Sequence, residues 1–280
     1  MSMGKVDVYL PKPMAQVDIF VSVSLFCSAA ADKKGNNFMS KIPTLEEMLK
    51  AGVHFGHRKS KWHPKMKPFI FTERGGIHVI NLEETQKQLE NALNFIEQTV
   101  SAGGKVLFLG TKKQAQNIVK EAAISCGEPY VVSRWLGGTL TNAGCVLALV
   151  KKYRKLKEEK ATGGFEKYTK KERLQLSREI DRLDIVIGGI EQLDKIPDAL
   201  FVVDIKNEKT AVREAKRCGL PVIAICDTNV NPELVDYPIP GNDDATNSIR
   251  CLVNVVAETI SDIKGEAEKA KAENPVAAKK

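Results

Sequence analysis

Two hydrophobic patterns alternate along most of this chain. Lys105–Leu109 (KVLFL), Ala199–Asp204 (ALFVVD) and Val222–Cys226 (VIAIC) are short continuous apolar runs, as expected of strands buried on both faces. Between them apolar residues recur every three or four positions. Leu82, Leu89, Leu93, Ile96 and Val100 predict one amphipathic helix. Further helices are predicted from Gly110-Thr-Lys-Lys-Gln to about Ser125, over Glu208–Cys218, and from roughly Ala245 to Ile263. Thr44 followed by Glu47 forms a capping box and predicts a helix from Leu45 to about Ala51. Phe69–Thr72 and Ile77–Ile80 read as short strands around the turn Glu73-Arg-Gly-Gly, and Tyr130–Val132 as another. Strands alternating with helices predict an α/β domain built on a parallel sheet.

The alternation breaks once. Val146, Leu149, Val150, Tyr153 and Leu156 fall on one helical face, and Leu176, Ile180, Leu183 and Ile187 on another, with Thr162-Gly-Gly between them. These features predict an antiparallel helical hairpin, residues 143–184, inserted into an α/β domain of residues 39–142 and 185–263. The segment launching it, Ser133-Arg-Trp-Leu-Gly-Gly-Thr-Leu-Thr-Asn142, reads as a structural corner. Gly137 and Gly138 are expected to turn the backbone, Trp135 to wedge against the core, and Asn142 to begin the exit. Pro238-Ile-Pro-Gly-Asn-Asp-Asp predicts a rigid loop that caps the last helix, and residues 264–280 a disordered tail or fraying helix.

Charge changes this picture. The chain has 280 residues, 43% of them apolar, and a net charge of +7. His54–Lys67 holds Arg58, Lys59, Lys61, Lys65 and Lys67 with no acidic residue, and Lys151–Arg182 holds twelve basic residues against six acidic ones. The remainder is therefore slightly acidic, and so concentrated a surplus suits a polyanion, above all a nucleic acid. The candidate RNA-binding residues are Arg58, Lys59, Lys61, Trp62, Lys65 and Lys67 in the first stretch. Lys151, Lys152, Arg154, Lys155, Lys170, Lys171 and Arg173 stand in the second, with Arg134 at the corner and Lys112 and Lys113 at a strand–helix turn. Phe55 and Trp62 either stack on bases or anchor their loop; the residues alone leave both open. Pro64, Pro68 and Gly56 predict that this loop is irregular.

Enzymatic and metal chemistry find little support. Gly110-Thr-Lys-Lys-Gln matches neither G-x-x-x-x-G-K-[ST] nor G-x-G-x-x-G. Its lysines either contact a phosphate or simply meet solvent. Asp204 and Asp227 stand at strand ends, where open α/β sheets bind ligands, but Asp there more often holds a turn. His54, His57 and His63 lack an evident completing ligand, so no metal is expected. The six cysteines have no C-x-x-C spacing and read as small buried residues of a reducing compartment. No cofactor is expected, and no apolar run reaches the length of a membrane span. Val17–Ala31 has the look of a short signal-peptide core, but Asp18 interrupts it; the organised sequence begins at Met-Ser-Lys-Ile-Pro-Thr, which points to Met39 as the natural start, with residues 1–38 either an over-extended start or a disordered extension.

Seven stretches, in order, resemble the bacterial-type ribosomal protein S2 family: His54-Phe-Gly-His, Pro64-Lys-Met-Lys-Pro, Gly76-Ile-His-Val-Ile, Gly110-Thr-Lys-Lys-Gln-Ala, Arg134-Trp-Leu-Gly-Gly-Thr-Leu-Thr-Asn, Pro197-Asp-Ala-Leu-Phe-Val-Val-Asp and Asp236-Tyr-Pro-Ile-Pro-Gly-Asn-Asp-Asp. The resemblance covers about Ile42 to Ile263. It implies a three-layer, Rossmann/flavodoxin-like α/β fold with an inserted coiled-coil hairpin. It also implies a non-enzymatic constituent of the cytoplasmic small ribosomal subunit that binds small-subunit ribosomal RNA between head and body. Its implied neighbours include the large OB-fold protein that captures messenger RNA. Two departures stand out. Ala143-Gly-Cys replaces a common aromatic–lysine pair, and His63 stands where the family often has Asn.

Overall fold

The computed structural model describes residues 42–273, so the expectations for the first 38 residues and for residues 274–280 lie outside it. Helix α1 (Leu45–Ala51) starts on the expected capping box, with the Thr44 hydroxyl accepting from the Glu47 amide and the Glu47 carboxylate from the Thr44 amide. A small antiparallel sheet follows, β1 (Phe55–Arg58), β2 (Ile70–Arg74) and β3 (Ile77–Ile80), in the order β1-β3-β2. The β2–β3 turn is Gly75-Gly76 with φ of 61° and 76°, a left-handed pair that lets a two-residue hairpin follow the twist of its strands.

The principal sheet contains β4 (Val106–Leu109), β5 (Tyr130–Val131), β6 (Ala199–Val203), β7 (Val222–Cys226) and β8 (Tyr237–Pro240), all parallel, in the order β5-β4-β6-β7-β8. Every residue of β4, β6 and β7 is buried. Alternate side chains serve opposite faces. Val106, Phe108, Phe201 and Ile223 meet a layer formed by α1, α2 (Leu82–Ser101), α3 (Lys113–Cys126) and α7 (Thr246–Glu273). Leu107, Leu109, Val202 and Ala224 meet Trp135 together with residues of α4 (Ala143–Ala161), α5 (Lys170–Ile187) and α6 (Lys209–Cys218). The sheet is thus the middle of three layers, with a core on each side.

Helices α4 and α5 pack through Val150, Tyr153, Ile180 and Ile187, flanked by half-buried Val146, Leu149, Leu156, Leu176 and Leu183. The Tyr153 hydroxyl donates to Asp184 at 2.5 Å, and Lys152 pairs with Glu179 at 2.6 Å. Between the helices, Gly163 takes φ 74° and a 3-10 turn covers Gly164–Lys167. A second capping box, Thr169 with Glu172, starts α5.

Four expectations are corrected. The His54–Pro68 stretch is not irregular throughout, because Phe55–Arg58 pairs across β3, Phe55 with Val79 and Arg58 with Ile77, around a bulge. Tyr237–Pro240 is an edge strand rather than a loop, and the edge tolerates Pro238 and Pro240 because it asks no ladder donor from their outer side. Helix α7 continues past Ile263 to Glu273, and Lys264 contributes by donating to the Cys126 carbonyl at 2.7 Å. Finally, Cys126 and Cys226 are buried but Cys145 and Cys218 are exposed.

Candidate nucleic-acid interface

The basic loop is held from below by the turn after β7. The His57 amide donates to Thr228 Oγ1 and the His63 amide to the Thr228 carbonyl, both at 2.8 Å. Gly56 lies so close that an added Cβ would stand 2.6 Å from Thr228 Cγ2. His57 Nδ1 meets the buried Asp227 carboxylate at 2.8 Å, and that hydrogen bond raises the imidazole's pKa above its ordinary value. His63 caps the 3-10 turn Pro64–Phe69, its Nδ1 accepting from the Lys65 amide at 3.2 Å. This is the short-range acceptor role an Asn would play. Trp62 is half-buried, its ring 5.3 Å from that of His78, so it anchors the loop. Phe55 is 52% exposed.

This scaffold points the loop's cations outward. Arg58, Lys59, Lys61, Lys65 and Lys67 are all exposed. Lys59 pairs with Glu73 at 2.9 Å and Lys65 with Glu233. Arg58, Lys61 and Lys67 have no ion-pair partner among the described residues. In the helical pair, Lys151, Lys155, Lys170 and Lys171 are likewise exposed and unpaired among the described residues. Lys152 is tied to Glu179. Arg154 bonds the Glu191 carbonyl through Nε at 2.6 Å and Asp194 at 2.7 Å, and Arg173 donates to the Tyr168 carbonyl at 3.0 Å.

At the strand–helix turn after β4, one of the two lysines departs from both readings. Lys113 is exposed, but Lys112 points inward to Asp243 at 2.8 Å, Asp244 at 2.5 Å and Asp204 at 3.6 Å. Burial opposes its charge, yet the Asp243 and Asp244 carboxylates outweigh that and raise its pKa. Burial, reinforced by Asp204 and Asp227, pushes Asp243 up to about 7. Asp204 itself has φ 69° and accepts from the amides of Lys206 (2.8 Å) and Asn207 (3.2 Å), so it holds a turn. These groups lie where neighbouring strands β4 and β6 lead to opposite sides of the sheet, the usual ligand crevice of open α/β folds. Here the crevice is filled by internal ion pairs. His57, Asp227 and Asp244 also bring ligand atoms within 4.8 Å of one another, the one such group of metal-ligating side chains among the described residues.

At the corner, Trp135 is buried at 8% exposure and packs in the α4–α5–α6 core. The sequence reading missed its partner. Glu214 of α6, also 8% exposed, accepts from Trp135 Nε1 at 3.3 Å, the Gly138 amide at 2.8 Å and the Leu140 amide at 3.2 Å. Gly138 adopts φ 91°, whereas a Cβ on Gly137 would meet nothing within 4 Å and its φ is not left-handed. The turn therefore requires one glycine of the pair. Asn142 precedes α4 without a side-chain capping bond, its amide donating to the Gly138 carbonyl at 2.8 Å. Arg134 is exposed beside this corner and has no ion-pair partner among the described residues.

Three layers around a parallel sheet, internal ion pairs in its crevice and outward basic groups describe an α/β scaffold with a basic surface. The family model described as Ribosomal protein S2 matches residues 48–262. Small ribosomal subunit protein uS2 of Mycobacteroides abscessus is 46% identical over 243 residues, covering 84% of this chain and 88% of that protein. The uS2 of Salinispora arenicola is 50% identical over 225 residues, 79% of this chain and 80% of its own length. That of Dehalococcoides mccartyi is 48% identical over 221 residues, 78% and 90% respectively. The chain belongs to the ribosomal protein S2 family: it is a ribosomal protein of the small subunit, and its relatives are structural proteins rather than enzymes.

Proposed function

We propose that this protein binds small-subunit ribosomal RNA between the head and body of the subunit in the cytoplasmic ribosome. There it supports docking of the large OB-fold protein that captures messenger RNA. The carrying observation is the placement of unpaired cations. Arg58, Lys61 and Lys67 are exposed on the basic loop. Lys151, Lys155, Lys170 and Lys171 stand on α4 and α5, which in this reading form the inserted coiled-coil hairpin. Lys113 at the β4–α3 turn and Arg134 at the corner are exposed as well. Each exposed cation displaces counterions from a phosphate without first breaking an ion pair in the protein. The paired candidates Lys59, Lys65, Lys152, Arg154 and Arg173 contribute less, and Lys112 acts as an internal strut. Phosphate contacts position the protein by RNA shape rather than by base sequence.

The test is the salt dependence of binding to a small-subunit RNA transcript. Replacing Lys151, Lys155, Lys170 and Lys171 by Ala should flatten the slope of log affinity against log salt by about 3, at roughly 0.7–0.9 per contact. The same variant should be depleted from the small-subunit peak of a sucrose gradient. An unchanged slope with normal co-sedimentation would refute the role of the helical pair.

A further inference from the structure

Helix α6 reads in sequence as a mixed-charge segment, with Lys206, Lys209, Arg213, Lys216 and Arg217 against Glu208 and Glu214. Folding sorts those charges. Both glutamates are buried. Glu208 accepts from the Thr111 amide at 3.2 Å, and Glu214 is bound to the corner. The five cations are exposed and unpaired among the described residues. Lys209, Arg213 and Lys216 follow i, i+4, i+7 spacing and share one helical face. The charged groups on the outer side of α6 are therefore all cationic.

Beside this face lies a cavity of about 490 Å³. Its apolar lining is Ile205, Val212, Val230 and Leu234, and its far wall includes His63 and Asn229. Asn229 Oδ1 is a buried atom with no hydrogen-bond partner among the described residues. Its side-chain nitrogen is taken up by His57 Nε2 at 3.0 Å. His63 belongs to the basic loop, so that loop and the cations Lys209, Arg213 and Lys216 of α6 border the same cavity.

We propose that the cationic face of α6 and this cavity form a track for single-stranded RNA that continues from the basic loop, the cavity receiving one unstacked base. The proposal rests on the RNA-binding reading above and adds to it a surface outside the loop and the helical pair. Unpaired bases are the parts of RNA that a protein can enclose. The aliphatic floor of Ile205, Val212, Val230 and Leu234 covers the base's faces. The α6 cations along its rim hold the flanking phosphates.

Three full-length variants test it against a small-subunit ribosomal RNA transcript: Lys209→Ala/Arg213→Ala/Lys216→Ala on α6, Lys61→Ala/Lys67→Ala on the loop, and Val212→Trp to fill the cavity. Circular dichroism verifies folding. The α6 variant should flatten the salt slope by about 2, at roughly 0.7 per single-strand contact. The cavity variant should weaken binding at least several-fold with its slope unchanged. In wild type, RNA should protect Lys206, Lys209 and Lys216 from acetylation, a readout independent of any substitution. If the loop variant flattens the slope while the α6 variant does not, and the α6 lysines acetylate equally with and without RNA, this inference fails and the RNA-binding reading stands. If wild type binds no RNA, both fail. Protection of the α6 lysines by poly-glutamate but not by RNA would make this a docking face for an acidic protein and overturn the proposal.

Discussion

Replacing Glu214 by Ala isolates the contact that sets the corner between the sheet and the paired helices. The carboxylate is buried and accepts three hydrogen bonds, from Trp135 Nε1, the Gly138 amide and the Leu140 amide. Alanine leaves these donors without their acceptor in a site poor in water, at about 1–3 kcal/mol for each one that stays unsatisfied. The sum is smaller than three full penalties, because the variant no longer buries a charge and the bond at 3.3 Å is weak. We expect a loss of about 3–5 kcal/mol, at the lower end of three such penalties taken together. At roughly 2–4 °C per kcal/mol for a chain of this size, the melting temperature should fall by about 6–20 °C. Glu214→Gln keeps one acceptor oxygen and should cost about half as much. Urea unfolding measures the loss. The chain has only two tryptophans, so a Trp62→Phe background assigns the emission to Trp135, which should shift to the red if the indole loosens. An alanine variant within about 0.5 kcal/mol of the parent, a size typical of surface changes, with unchanged Trp135 emission would refute the corner's dependence on this carboxylate.

Gly138→Ala should destabilise by about 1–2 kcal/mol because it forces a Cβ into left-handed backbone, whereas Gly137→Ala should stay within about 0.5 kcal/mol of wild type; equal effects in thermal melts would contradict the assigned turn. Asp243 has a folded-state value near 7 against an ordinary 3.8, so the native state holds its proton more tightly and stability falls as pH rises between those values. His57, also raised, acts in the same direction, contributing fully below its unfolded value and losing that contribution as pH passes its folded one. Urea midpoints from pH 4 to 8 should therefore decline less steeply in Asp243→Asn, and an identical profile would exclude Asp243 as a source.

The strands β4, β6 and β7 were legible because each is buried on both faces, and burial on both faces forces uninterrupted apolar runs. The seams of α4 and α5 were legible through their helical spacing. Strand β1 was not, because its partner β3 lies some twenty residues away and four residues around a bulge leave no periodic signal. Nor was β8, whose prolines argue against any strand except one at an edge. Among the candidate cations, Arg58, Lys61, Lys67, Lys151 and Lys155 were exposed in the fold. Lys112 was not, since its three carboxylates come from Asp204 and from Asp243–Asp244, far along the chain.

By itself the sequence determined the layer pattern, the helix boundaries marked by capping boxes and the excess of positive charge, because periodicity, caps and composition are local properties. Tertiary structure decided which charges remain available. It turned Lys112 into the crevice and Glu208 and Glu214 into the core, leaving α6 cationic on its outer side. The physical reason is that an ion pair or a buried carboxylate is settled by distances between residues remote in sequence, and only the packed fold sets those distances.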